Sequence, residues 1–382
     1  MDSAIASDTT VTIAAWAGAL LSLLSLACIG LTFALRGWSE HVRKNREIAV
    51  QRWEETLFRA TEAIEGEDLM AQSEGAKSLL GPYPTVEARD LQHLLYEWNY
   101  IHESVSGESK NGLNFLANTL DLYGRAFKLL KSPFLDRRLL AINTLGNIGS
   151  ERAYAGLEKR LSDLDPVISS WVWRALFRID TARTIDNHFS IMAVREDWSP
   201  IFVARVLHEI DADVRSEPLC RLVEQCYESG TKDRQMSRLI SYLSLTHVSD
   251  HTKLINEILL DSDETEVLIA CLRLVNSDDD LTRIRELVHD RRWEIRMHVA
   301  LTLSRLGHAE DIELLIPLLN DTDWWVRYRT ASALFTMPGM TEKKIEKLAD
   351  TLPNQFARDI LRQVLTEMRL LCFTQTTSTL SR

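Results

Sequence analysis

The sequence predicts an all-α protein in which a single N-terminal transmembrane helix precedes an α-solenoid of stacked helix pairs. Three observations carry this reading. With 15 Gly and 9 Pro in 382 residues, the turn chemistry that many strands and hairpins need is scarce, while the helix formers Leu, Ala, Arg and Glu are abundant. Residues 11–35 form an uncharged apolar run. Leucines then recur with a fixed step of 31 in the numbering, which is the signature of a repeat array.

Charge and cysteine usage narrow the function classes. The formal net charge of −11 argues against a surface built to neutralise phosphates, so no nucleic-acid partner is expected. Cys28, Cys220, Cys226, Cys271 and Cys372 contain no CxxC pair and read as small apolar core residues in a reducing compartment.

Residues 1–10 carry Asp2 and Asp8 and read as a short extracytoplasmic N-terminus. The run 11–35 would be roughly 37 Å long as a helix, enough to cross the hydrocarbon core of a bilayer. Arg36, Arg43, Lys44, Arg46 and Arg52 follow it, so the positive-inside rule places the N-terminus outside and the remainder in the cytoplasm. A cleaved signal peptide would need a basic start and a shorter apolar core, and a lipoprotein site at Cys28 would not be followed by a further apolar stretch. Within the run, Ala14, Gly18 and Ser22 recur every fourth residue; this gives a small-residue face on which two copies could pair as a homodimer, although small residues are common in membrane helices anyway.

In 36–66, Val50, Trp53, Leu57, Ala60 and Ile64 follow 3-4-3-4 spacing and share one face, which predicts a juxtamembrane helix docked on the domain that follows. Breakers and polar residues over 66–85 predict a loop. Residues 67–131 read as a helical linker or divergent repeats, with helical patterns around 88–105 and 113–130.

The repeat domain is predicted over 132–372. Leu145, Leu176 and Leu207 are separated by steps of 31, as are Leu272, Leu303 and Leu334 after an irregular interval of 65. Three residues before them stand Ile142, Trp173, Ala204, Ile269, Ala300 and Ala331, on the same helical face. Two units superpose well: Asp290, Trp293, Ile295, Arg296, Ala300 and Leu303 match Asp321, Trp324, Val326, Arg327, Ala331 and Leu334, each followed by a Gly-containing turn and a second amphipathic helix. Gly146 and Gly149 stand near the corresponding turn of an earlier unit. The pattern of Asp, Val-Arg, Ala, Leu and a turn Gly resembles HEAT repeats, especially the variety seen in bilin-lyase-like HEAT proteins, over 134–161 and 290–352. It is weaker but in phase between them, except in 181–194 and 228–262. The resemblance implies an elongated stack that acts as a scaffold, with a bilin-lyase-like enzyme or enzyme subunit as the alternative and a HEAT-like nucleic-acid-binding protein as the second. The last helix, with Phe356, Ala357, Ile360, Leu361, Val364, Leu365, Met368 and Leu371 as its apolar stripe, is expected to cap the stack. Residues 373–382 are expected to be a mobile tail.

No phosphate loop, HExxH, GxSxG or kinase-like set occurs, so no catalytic residue, cofactor or metal is expected. His247 and His251 could share a helix face, but nothing nearby completes a metal site. Asp278, Asp279 and Asp280 lack the spacing and turn Gly of a calcium loop. The candidate binding cluster is Trp293, Arg296, Trp325, Tyr328 and Arg329, because Trp, Tyr and Arg dominate binding energy at protein interfaces. On a purely structural reading, one Trp per repeat packs between units and Asp290–Arg296 and Asp321–Arg327 bridge neighbouring turns. Trp325 is predicted to be exposed, since Trp324 fills the position matched by Trp293. The expected function is a non-enzymatic scaffold that binds a membrane enzyme or a signalling component at the cytoplasmic face of the cell membrane.

Overall fold

The computed structural model describes residues 2–62, 83, 85–88, 90–277 and 281–379. Among them every regular element is helical. They fall into two compact units, residues 1–180 and 181–382. Most of the predicted loop 66–85 and the run Asp278–Asp280 lie outside the described residues.

The first unit contains α1 (Asp2–Glu62), α2 (Leu91–Ser104), α3 (Glu108–Thr119), α4 (Leu122–Leu129), α5 (Leu135–Ile148), α6 (Glu151–Glu158) and α7 (Pro166–Ile179). The predicted apolar span and juxtamembrane helix form one continuous helix, since no Pro interrupts 2–62 and its three Gly, Gly18, Gly30 and Gly37, are tolerated inside it. Its far end is anchored. Trp53, Leu57 and Ala60 are fully buried with Leu94, Leu95 and Trp98 of α2 and Leu113, Leu116 and Ala117 of α3. Ile64, assigned to the same stripe, lies outside the described residues.

At the other end of α1, Leu20, Leu23, Leu26, Ile29, Leu31, Phe33 and Leu35 are all exposed. Among the described residues no helix is long and apolar enough to cross a membrane. The side chains of 11–15, 17–19, 21 and 22, including Ala14, Gly18 and Ser22, are not among those residues, so the predicted span and dimer face fall partly or wholly outside them.

Helices α5 and α7 pack side by side at the repeat spacing, with Leu145 and Leu176 fully buried. The two glycines here have different roles. Gly146 lies inside α5, not in the turn, and a Cβ there would come within 2.9 Å of the Ala175 Cβ, so its hydrogen lets the helices approach closely. Gly149 ends α5 with φ of 67°, the left-handed conformation that only Gly adopts freely. Pro166 opens α7, where its missing N–H is not needed, and Asp165 accepts hydrogen bonds from the backbone N–H groups of Val167 and Ile168.

The second unit continues with α8 (Thr181–His188), α9 (Ile191–Val194), α10 (Pro200–Glu209), α11 (Ala212–Glu228), α12 (Asp233–Tyr242), α13 (Val248–Asp261), α14 (Thr265–Leu274), α15 (Leu281–Glu286), α16 (Trp293–Leu306), α17 (Ile312–Leu315), α18 (Trp324–Thr336), α19 (Glu342–Thr351) and α20 (Gln355–Thr379). Helices α12, α14, α16, α18 and α20 pack in sequence, each against the next. Leu207, Leu272, Leu303 and Leu334 are fully buried. The irregular interval of 65 hides one more repeat: Leu239 of α12 is also fully buried, at a step of 32 from Leu207 and of 33 to Leu272. The one and two extra residues in these steps put it out of phase with the step of 31.

The capping helix α20 buries Ala357, Ile360, Leu361, Val364 and Leu365, and it continues to Thr379 beyond the boundary at 372 that its apolar stripe suggests. Phe356, assigned to that stripe, is 70% exposed. The cysteines divide as well: Cys271 is buried, Cys220 and Cys226 are half-buried, and Cys28 is exposed on α1, so a uniform core role is incorrect.

Candidate interaction surface

A repeated arginine geometry organises the second unit. Arg296 donates to the carbonyls of Asp290 and Arg291 at 2.7 and 3.0 Å. Arg327 donates to those of Asp321 and Thr322 at 2.7 and 3.1 Å. Arg358 donates to those of Leu352 and Pro353 at 2.9 and 3.3 Å. Each guanidinium reaches back from the first turn of its helix and fixes the loop that precedes it, and the three arginines follow the same step of 31 as the leucines.

Arg296 does more, because it also pairs with Asp321 of the next repeat at 2.6 and 2.8 Å. The predicted pairings Asp290–Arg296 and Asp321–Arg327 are therefore corrected. Asp290 pairs with Arg292 at 2.7 Å, and Asp321 ties two repeats together instead of two turns of one. Burial alone would raise the Asp321 carboxyl, but the Arg296 guanidinium and the backbone N–H of Asp323 outweigh it and hold the group below the usual carboxylate range. Arg285 and the buried Asp311 form a similar bridge at 2.6 Å.

On this frame sits an aromatic cluster. Asp323 accepts a hydrogen bond from the Trp325 N–H at 2.8 Å and starts α18 there, so Trp324 and Trp325 occupy its first turn. Both are exposed, at 41% and 48%. Trp325 is thus where the sequence suggests, whereas Trp324 is not enclosed between units; its counterpart Trp293 is half-buried. The Trp324 ring meets Trp325 edge-on at 4.9 Å and stacks on Tyr328, one turn later, at 5.0 Å. The Tyr328 hydroxyl donates to Glu367 of α20 at 2.8 Å, which raises its pKa. Arg329 lies beside the Tyr328 ring at 5.9 Å.

The structure therefore groups Trp325, Tyr328 and Arg329, and engages Arg296 in the bridge between repeats. Sequence reasoning missed Phe356. It takes the position of Trp325 in the following repeat, is the most exposed aromatic of the group, and lies 5.9 Å from the Arg327 guanidinium. That recurrence was the available signal.

No cluster of three or more metal-ligating side chains occurs among the described residues. His247 is exposed and hydrogen-bonded to Asp213 at 2.8 Å, whereas His251 is buried against the Thr246 hydroxyl at 2.8 Å. They have separate partners.

Residues 252–366 match the family model described as HEAT repeats, which agrees with the stack from α14 to α20. No curated protein matches the chain. Among solved structures, the crystal structure of an engineered protein from the Northeast Structural Genomics Consortium is similar at 15% identity, covering 86% of this chain and 98% of that one with a TM-score of 0.32. That score is too low to bear on the fold. The match places HEAT repeats within 252–366, and repeats of this kind stack into helical scaffolds.

Proposed function

We propose that the chain is a membrane-tethered HEAT-type adaptor that holds a protein partner, a membrane enzyme or signalling component, at the cytoplasmic face of the cell membrane and catalyses no reaction itself. The observation that carries this reading is the division of α1: its end is locked in the core by Trp53 and Leu57, while Leu20, Leu23, Leu26, Ile29, Leu31, Phe33 and Leu35 present an apolar surface to solvent. An exposed run of this size is unfavourable in water and favourable in lipid. The basic residues that follow it support a cytoplasmic location for the repeats. Tethering raises the local concentration of whatever the repeats hold, and Trp325, Tyr328 and Arg329 supply residue types suited to that contact. Bilin-lyase-like chemistry gains no support from this geometry.

Fractionation tests the tether. The full chain should stay with membranes through high salt and alkaline carbonate and leave them in detergent, and replacement of Leu23, Leu26 and Leu31 by Lys should release it. Loss of the unaltered chain in carbonate would sink the proposal. For the contact, Trp325→Ala should weaken capture of a membrane partner by about 2 kcal/mol while changing the melting temperature little.

A further inference from the structure

We propose that Arg273, His298 and Arg329 form a binding row for the carboxylates of an acidic protein segment, laid across α14, α16 and α18. The inference rests on the reading that the chain holds a protein partner and names the chemistry of that partner.

Most arginines around this row are already engaged. Arg283, Arg285, Arg292 and Arg296 have carboxylate partners, and Arg305 donates to the carbonyls of Arg273, Leu272 and Val275. Arg273 and Arg329 differ. Among the described residues Arg273 meets the His298 ring, 3.5 Å away, and Arg329 lies against Tyr328; neither has a carboxylate within ion-pair distance. Both are exposed, in a chain whose net charge is −11. Two unneutralised guanidinium groups on alternate helices, with an imidazole between them, form a positive strip on an otherwise acidic protein.

The strip opens at one end into a cavity of about 430 Å³, lined by Ser237, Ser241, Ser244, Ile269 and Arg273. Each serine hydroxyl there donates to a carbonyl one turn back, which leaves its oxygen to accept from a peptide N–H. Glu266 lines the same cavity two helical turns before Arg273, and Glu367 beyond Tyr328 bounds the other end, so the positive charge of the row is that of Arg273 and Arg329. Burial first, then Arg273 and Arg329, push the His298 pKa down to about 4. The imidazole is therefore neutral at pH 7 and offers a hydrogen bond between the two charges.

Spacing selects the ligand. Adjacent packed helices lie about 8–10 Å apart, so the axes of α14 and α18 stand roughly 16–20 Å apart, and the guanidinium groups stand closer because Arg273 reaches to 3.5 Å from His298 on α16. An extended chain advances about 3.3 Å per residue, so a segment of at most about six residues spans the row. A short acidic stretch can meet both guanidinium groups with charge-assisted bonds.

The test uses the full chain in detergent and a fluorescein-labelled hexaglutamate peptide, followed by anisotropy. Binding should be saturable, weakened by salt and absent for hexaglutamine. Arg273→Gln and Arg329→Gln should each reduce affinity about fivefold or more, Arg329→Lys should restore part of it, and melting temperatures should stay at the unaltered value. Failure to bind hexaglutamate, or binding that neither substitution changes, would overturn the assignment, as would displacement of the peptide by an equal concentration of inorganic phosphate. The two readings fail separately: hexaglutamate binding with no protein captured from membranes leaves the site standing and removes the partner, while a captured protein indifferent to both substitutions does the reverse.

Discussion

Neighbouring helices are joined by different chemistry in the two units. In residues 181–382 three arginines at the same position in successive repeats fix the loop before their own helix on backbone carbonyls, and one of them, Arg296, also pairs with an aspartate of the next repeat. In residues 1–180 the joint between α2, α5 and α7 is a side-chain network. Glu103 accepts from Arg178 at 2.8 Å and Asn143 at 3.0 Å, while Asn99 and Asn147 pair at 2.8 Å and Asn99 reaches Thr144 at 2.8 Å. A carbonyl is supplied by any residue, so the first kind of joint can be copied from repeat to repeat while the sequence drifts. The second depends on six particular side chains and cannot be propagated. Regularity in the sequence and regularity in the joints go together.

The comparison breaks most severely at a buried leucine. Leu303→Asp places a charge in a fully buried helix interface and should destabilise the second unit by about 4 kcal/mol or more, read as a lost or strongly lowered melting transition. A fully stable variant would exclude the register on which the repeat is based.

Removing a joint should do less, and unequally. Asp321→Ala leaves Arg296, itself mostly buried, without its carboxylate, and a loss of about 3 kcal/mol is expected. Glu103 is more open to solvent and its partners also bond one another, so Glu103→Gln should lower stability by about 1 kcal/mol. Denaturant midpoints of the two variants decide the matter; equal losses would mean that the two joints are energetically the same.

The smallest effect is on pH dependence. Burial is the main cause that lowers both His102 in the first unit and His298 in the second to about 4. A histidine whose folded pKa lies below its unfolded value binds protons more readily when unfolded, so stability falls as pH drops from about 6.5 towards 4. Glu103, held at about 2, loses its contribution only below about 4.5. Between pH 7 and 5 the histidines therefore act without it. His102→Gln and His298→Gln should each narrow the difference in denaturant midpoint between those two pH values, and an unchanged difference would show that the rings are not excluded from protonation.

Much of the stack could be read from spacing, because packing forces one apolar position to recur; Leu145 and Leu176 of the first unit and Leu207, Leu272, Leu303 and Leu334 of the second are all fully buried. The repeat at Leu239 was hidden because steps of 32 and 33 look irregular without the helices themselves. Pairing was harder to read. Arg296 stands much closer in sequence to Asp290 than to Asp321, and that proximity favours the wrong partner. For the binding cluster, residue type was informative and side was not: Trp324 and Trp293 match in the repeat, yet their exposures differ.

The continuity of α1 makes it a phase-setting rod. From Leu35 to Trp53 the helix rises about 27 Å, and no break relieves torsion between them. One residue inserted between 36 and 49 would lengthen the rod by only about 1.5 Å, but it would turn the apolar segment by about 100° relative to the face that Trp53 and Leu57 bury. Seven inserted residues, close to two whole turns, would nearly restore the azimuth while adding about 10 Å of reach. The heading of the first unit about this axis is thus encoded in the number of residues in the rod rather than in their identity.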